Sequence, residues 1–380
     1  MTEPSAPISD PSGRTPPSER LVALDVLRGF DMFWILGMEE FAAALARAND
    51  APWTKAFSRQ LDHAVWEGFR FLDLIFPLFV FVSGVSLALS AKRSMAEFGR
   101  ARTVRKIVVR AVILYLVGVL FYGGLAKGMD GVRWVGVLQR IAISGLAAGL
   151  LFCLTSLRIR LAALGGLLLG YWAALALIAP PGGARGDFAE GPTHNLANWL
   201  DSRFLPGRRW DGTHDPEGLL SSLPAIATCL LGVLIGEYVS AGSGSRAKKA
   251  FVLFGGGAVL AAAGWAWHPY FPVIKKLWTS SFVLVAGGYS LMLFGTLLLI
   301  VDVFRLRRWA SPFVWIGMNA IALFLAKRYI KHDLITGALV GGPIADALGD
   351  YAAVVRAFGI VVLAVVLAAF LHRHRIFMRI

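Results

Sequence analysis

Long apolar runs separated by short polar stretches fill the chain from residue 21 to its end. A bilayer-crossing helix needs roughly 20 mostly apolar residues. Segments of that kind fall at about 24–45, 67–90, 107–122, 134–156, 161–179, 218–239, 251–266, 278–302, 310–326 and 353–371. The pattern predicts an all-α, polytopic integral membrane protein with about 10 transmembrane helices over residues 21–380. The first 20 residues, MTEPSAPISDPSGRTPPSER, hold five prolines and almost nothing apolar. They read as a disordered cytoplasmic tail and not as a signal peptide, because an apolar segment is missing.

Charge orients the spans. An even number puts both termini on one side. The tail, the 91–106, 157–160, 240–250 and 303–309 loops and residues 372–380 carry 19 Lys/Arg in 67 residues, against 14 in 103 for the opposite loops. Cationic loops stay inside, so the N and C termini are expected in the cytoplasm. Loops 46–66, 180–217 and 327–352 are then external. The 180–217 loop is too polar to span and reads as a cap over an external pocket.

Composition agrees. The chain of 380 residues is 57% hydrophobic and only 16% charged, against about 25% charged in average soluble domains; its mean hydropathy is +0.63. A soluble enzyme is excluded. The net charge of +14 reflects orientation and does not call for nucleic acid. Cys153 and Cys229 sit in apolar runs and form no disulfide framework. No GxxxxGK[ST], CxxC, HExxH or strand-borne GxGxxG motif occurs, so no metal is expected.

Ionisable groups inside spans are costly and usually face a cavity or a partner. On a continuous helix over LVALDVLRGFDMFWILGMEEF, Asp25, Arg28 and Glu39 would share one face. That face would run from a cytoplasmic Asp25–Arg28 pair to an external Glu39–Glu40 pair. In LDHAVWEGFRFLDLIFPLFVF, a helix beginning near Asp62 would put His63, Glu67 and Arg70 on one face, with Asp73 a turn further in. Pro77 cannot donate to the Asp73 carbonyl. A histidine at an external mouth suits proton transfer, since its pKa lies near neutrality; an interfacial anchor formed by His63 and Trp66 is the alternative. Gln139 and Arg140, Ser221 and Ser222, Lys275, Lys276 and Trp278, and Asn319 place further polar groups in or beside apolar runs. Together they point to a polar core reaching across the membrane.

The segments RLVALDVLRGF, HAVWEGFRFLDLIFPLFVFVSG, VGVLQRIA, DPEGLLSSLPAIATCLLG, IKKLWTSSF and GMNAI occur in that order. They resemble the transmembrane acyltransferases related to heparan-α-glucosaminide N-acetyltransferase, bacterial members included, over roughly residues 20–330. The resemblance implies a homodimer that moves an acetyl group from cytosolic acetyl-CoA to an amino sugar across the membrane. It places the catalytic histidine at His63, in the H-x-x-W-x-G element, and the aspartate ahead of F-P at Asp73. A family asparagine falls at Glu39, which is a departure, and Glu67 stands where animal members often have Asn.

The resulting expectation is a multi-pass N-acetyltransferase of the bacterial inner membrane, acting on a glucosamine-like amine at the periplasmic side. His63 is the expected base, with Asp73 and Glu39 orienting the imidazole or binding the ammonium. Glu40, Trp66, Glu67, Trp278 and Asn319 are candidate substrate contacts. Arg28, Gln139, Arg140 and Lys276 are candidate acetyl-CoA contacts. Direct transfer and an acetyl-histidine intermediate both remain open. The competing class is a proton-coupled sugar or ion transporter with Asp25, Glu39 and His63 as its relay.

Overall fold

The computed structural model describes residues 21–242, 244–330 and 332–378. The expected tail, residues 1–20, lies outside the described residues. The helices begin with α1 (Val22–Phe33), α2 (Glu39–Ala48), α3 (Pro52–Gln60), α4 (Phe71–Phe121), α5 (Val137–Leu154) and α6 (Leu157–Leu177). They continue with α7 (Leu196–Phe204), α8 (Ser222–Ser240), α9 (Arg246–Trp267), α10 (Ser280–Leu297) and α11 (Ser311–Met318). The last are α12 (Ala320–Tyr329), α13 (His332–Leu339), α14 (Pro343–Leu348) and α15 (Ala352–Arg373). Extended pairing among the described residues is confined to two isolated bridges.

Seven helical units among the described residues are long and apolar enough to cross a membrane, or eight if α11 and α12 form one bent span. Three features depart from straight, separate spans. First, α4 is helical for 51 residues, about 77 Å if straight and more than twice an apolar bilayer core. Gly99, at φ +78°, divides it, so the expected 91–106 loop is helical on both sides of one glycine. Gly149 on α5 faces the side chains of both Leu87 and Ile107, which places the two halves of α4 side by side.

Second, the expected span 24–45 is not one helix. A π-helical turn at Trp34–Met38 contains Gly37 at φ +140° and separates α1 from α2. The shared face expected for Asp25, Arg28 and Glu39 is therefore broken, because a π-turn resets the helical register. Third, the 310–326 segment turns by 68° where α11 meets α12, and Asn319 sits at the bend.

Helices α4 and α8 approach to backbone contact. A Cβ on Gly84 would meet the Cys229 carbonyl, and one on Gly232 the Phe81 carbonyl. Small residues at such crossings allow close packing where lipid gives no hydrophobic drive. This contact fixes the start of α8, and the loop ahead of it, beside the first turns of α4.

Candidate functional site

The site forms where the 61–70 segment meets the 268–279 loop. The helix expected from Asp62 is absent: residues 61–70 are irregular and α4 begins at Phe71. The cause is Asp73. Its buried carboxylate accepts the backbone N–H of Arg70 at 2.9 Å and of Ala64 at 3.2 Å, folding the segment back over the helix start. Such acceptance at a helix N-terminus satisfies donors that have no intrahelical partner. Gly68, at φ +115°, donates to the Val273 carbonyl at 2.9 Å, and Glu67 bridges Ile274.

His63 therefore reaches Asp73 through a loop and not along a helix face. Its Nδ1 lies 2.9 Å from Asp73 Oδ1, and its side chain is half exposed. With the Nδ1 proton directed at Asp73, the lone pair of the ring lies on Nε2. A third group completes the cluster. Lys275 Nζ lies 2.8 Å from His63 Nδ1, 3.2 Å from His63 Nε2 and 3.4 Å from Asp73 Oδ1. Burial pushes the Lys275 ammonium below its usual range, with Asp73 acting in the opposite direction.

The cluster lies at the polar end of a cavity of about 510 Å³. Glu39, Lys276, Glu217 and Lys327 share that end, and Met32, Ile75, Phe79, Ile141, Phe121 and Phe324 line the rest. On α4 the apolar lining from Leu72 to Phe79 runs about 10 Å along the helix.

Two charged clasps hold the 180–217 loop over this end. Arg133 donates to Asp215 at 3.0 and 2.7 Å and to Glu217 at 2.6 Å. Its guanidinium lies 4.5 Å from the Tyr122 ring centre and 4.8 Å from that of Trp210. Burial raises the Glu217 pKa despite Arg133. Burial also acts to raise that of Asp215, but the hydrogen bond and charge of Arg133 together with hydrogen bonds from Glu217 outweigh it, and the carboxyl stays below its usual value. In the second clasp Lys276 Nζ meets Glu190 at 2.8 Å and Asp211 at 3.1 Å. Glu190, Asp211 and His214 are ligand-type groups lying close enough together for a metal ion. The Lys276 ammonium sits among them and supplies the positive charge. Burial alone would lower the Lys276 pKa, and its two carboxylates raise it above the usual value.

The remaining candidates divide. Trp66 donates to the Phe188 carbonyl at 2.8 Å and Glu67 meets His268 Nε2 at 3.2 Å, so both tie loops together around His63. Glu40 pairs with Lys327 at 3.1 Å. Trp278 lines the cavity and donates to Thr228 at 3.0 Å, with Arg140 4.8 Å from its ring centre. Arg140 donates to Ser221 at 2.5 Å and Gln139 to the Arg133 carbonyl at 3.1 Å; neither is on the cavity wall. Arg28 contacts Ser86 at 2.5 Å and Asp25 at 3.7 Å, beyond the apolar end. Asn319 is buried, with neither amide atom hydrogen-bonded among the described residues. Sequence reasoning named Lys275 only as one of several polar groups beside an apolar run and gave it no role in the site, and it did not find the pairing of Arg133 with Asp215 and Glu217. The signal for Lys275 was its place beside Lys276 in IKKLW, but nothing local says which of the two lysines faces the histidine.

Comparison with known proteins adds the following. Residues 20–252 match the family model described as heparan-alpha-glucosaminide N-acetyltransferase, catalytic. Heparan-alpha-glucosaminide N-acetyltransferase of Homo sapiens is 28% identical over 336 residues, covering 72% of this chain and 48% of the human protein. The Mus musculus protein of the same name is 25% identical over 334 residues, covering 72% and 49%. The chain thus spans about half the length of the curated relatives it matches.

Proposed function

The chain belongs to the heparan-alpha-glucosaminide N-acetyltransferase family, and from that premise we propose that it transfers an acetyl group from cytosolic acetyl-CoA to an amino sugar on the periplasmic side. In this reading it is a multi-pass protein of the bacterial inner membrane. Gly99 splits α4 into two crossings, α1 and α2 together make another, and the bent pair makes one more. Added to the other six candidate helices, these give ten crossings with both termini in the cytoplasm. The functional unit is a homodimer.

The observation that carries the reading is the 2.9 Å pairing of His63 Nδ1 with buried Asp73 at the polar end of the cavity. Asp73 fixes the ring, leaving Nε2 to take a proton from the acceptor nitrogen. Glu39, on the same cavity wall, receives the acceptor as an ammonium ion. The apolar limb takes the donor's pantetheine arm, whose anionic end lies toward Arg28 and the basic 91–106 stretch. A proton relay through Asp25, Glu39 and His63 is less well supported. Gly37 separates the helices of the two acids, and His63 is engaged by Asp73 and Lys275.

The test is thiol release from acetyl-CoA by purified protein, with and without glucosamine, in wild type and His63→Ala. The expected result is amine-dependent release that the variant loses. A single stoichiometric burst without amine would place the acetyl group on His63 before transfer. Equal turnover by His63→Ala would refute the assignment of the base.

A further inference from the structure

Lys275 is the charged group closest to His63 that general-base chemistry leaves without a task. The loop that carries it is held firmly. Ile274 bridges Glu67, the Trp278 N–H donates to the Lys275 carbonyl at 2.9 Å, and the Thr279 N–H donates to the Ile274 carbonyl at 3.2 Å. Lys275 Nζ lies 3.2 Å from His63 Nε2, on the cavity wall. A carbonyl oxygen within reach of Nζ would bring its carbon next to a nitrogen being deprotonated at Nε2.

We propose that Lys275 is a catalytic residue whose ammonium stabilises the oxyanion formed from the thioester carbonyl. The inference rests on the acyl-transfer reading above. The bound ammonium first loses one proton to solvent; as the resulting neutral amine attacks, a C–N bond forms and the carbonyl π pair moves onto oxygen, facing Lys275. The amine's N–H proton passes to His63. Collapse restores C=O and breaks C–S, and the departing CoA thiolate takes the proton from the His63 imidazolium. A pre-placed cation at developing charge is among the largest contributions to catalysis.

The groups facing Lys275 are His63 and Asp73, with Glu217 and Glu39 further off; the side chain of Lys276 is turned to Glu190 and Asp211. Burial makes the ammonium easier to deprotonate. Activity should therefore fall on the alkaline side as Lys275 loses its proton.

The experiment is the pH profile of kcat and KM for acetyl transfer to glucosamine in wild type, Lys275→Met and Lys275→Arg, with melting curves. Loss of one oxyanion donor costs roughly 10²–10³ in kcat, and that loss is expected in Lys275→Met with KM little changed. Lys275→Arg should keep part of the rate and shift the alkaline limb upward, since guanidinium does not titrate in this range. If Lys275→Met does not fold, the alkaline limb of Lys275→Arg decides. An unmoved limb, or a Lys275→Met rate within a few-fold of wild type, overturns this inference alone. Absence of transfer by the wild type overturns it together with the acyltransferase reading.

Discussion

Replacing Asp73 with asparagine tests the site at its most constrained point. The carboxylate is fully buried. One oxygen accepts the N–H groups of Arg70 and Ala64, and the other faces His63 and Lys275. Asparagine has one acceptor oxygen and one NH₂ donor. If its oxygen keeps the two backbone donors, its NH₂ points at His63 Nδ1 and forces the ring proton onto Nε2, the nitrogen that must accept. If the amide is flipped, its NH₂ confronts the two backbone donors. Hydrogen bonds to a charged acceptor are worth about 1.5–3 kcal/mol and neutral ones about 1 kcal/mol, so holding the 61–70 segment should weaken by about 2 kcal/mol. The wrong tautomer costs more: where an amide replaces the carboxylate behind a catalytic histidine in serine proteases, kcat falls roughly 10⁴-fold. We expect Asp73→Asn to lower kcat by about 10²–10⁴, that is about 3–5 kcal/mol, with a small effect on KM and a melting point a few degrees lower. Thiol release and a melting curve on the same preparation read both effects. A kcat within tenfold of wild type would show that Asp73 does not set the tautomer of His63.

The cap gives two further predictions. Arg133→Met leaves Asp215 and Glu217 buried without their shared cation, and breaking such a group costs about 3–5 kcal/mol; cleavage of the 180–217 loop by added protease should become much faster, and unchanged cleavage would count against the clasp. Burial raises the pKa of Asp201 to about 6. Its folded value exceeds its unfolded value of about 3.9, so the stabilisation is full below pH 4 and is lost as pH rises to about 6. Protease resistance of the cap should fall over that window in wild type and lose this slope in Asp201→Asn; an identical slope in both proteins would remove Asp201 from the account.

The membrane-crossing segments were legible because an apolar run of sufficient length has few other uses. What the pattern could not show was where single residues interrupt it. Gly37 and Gly99 look like many other glycines in this chain, and nothing in the local pattern marks them as the two that take a positive φ inside a helical run. Asn319 marked its bend only as a polar residue in an apolar run. At the site, His63 and Asp73 stood out through the family resemblance, and the helical face expected to carry His63, Glu67 and Arg70 does not exist. Helical periodicity was extended back across a segment that Asp73 holds in a loop. The partnership of His63 with Lys275 joins residues 212 positions apart, and it depends on the backbone pairing of Gly68 with Val273 and of Glu67 with Ile274. No local spacing rule reaches that far. Arg140 and Gln139 were polar groups in an apolar run, which sequence alone could not divide into those that line a cavity and those that brace its wall.

Lys275 and Lys276 are consecutive, yet one faces the histidine and the other grips the cap. A displacement of the cap that draws on Lys276 is therefore transmitted through a single peptide unit to the ammonium beside His63. Opening for the acceptor and readiness for chemistry then become successive events. On the acyl-transfer reading, an open cap would leave the thioester carbonyl without its cation, and closure over a bound amine would bring the charge back into place. Timing would thus be set by the spacing of two neighbouring side chains, without a separate moving domain.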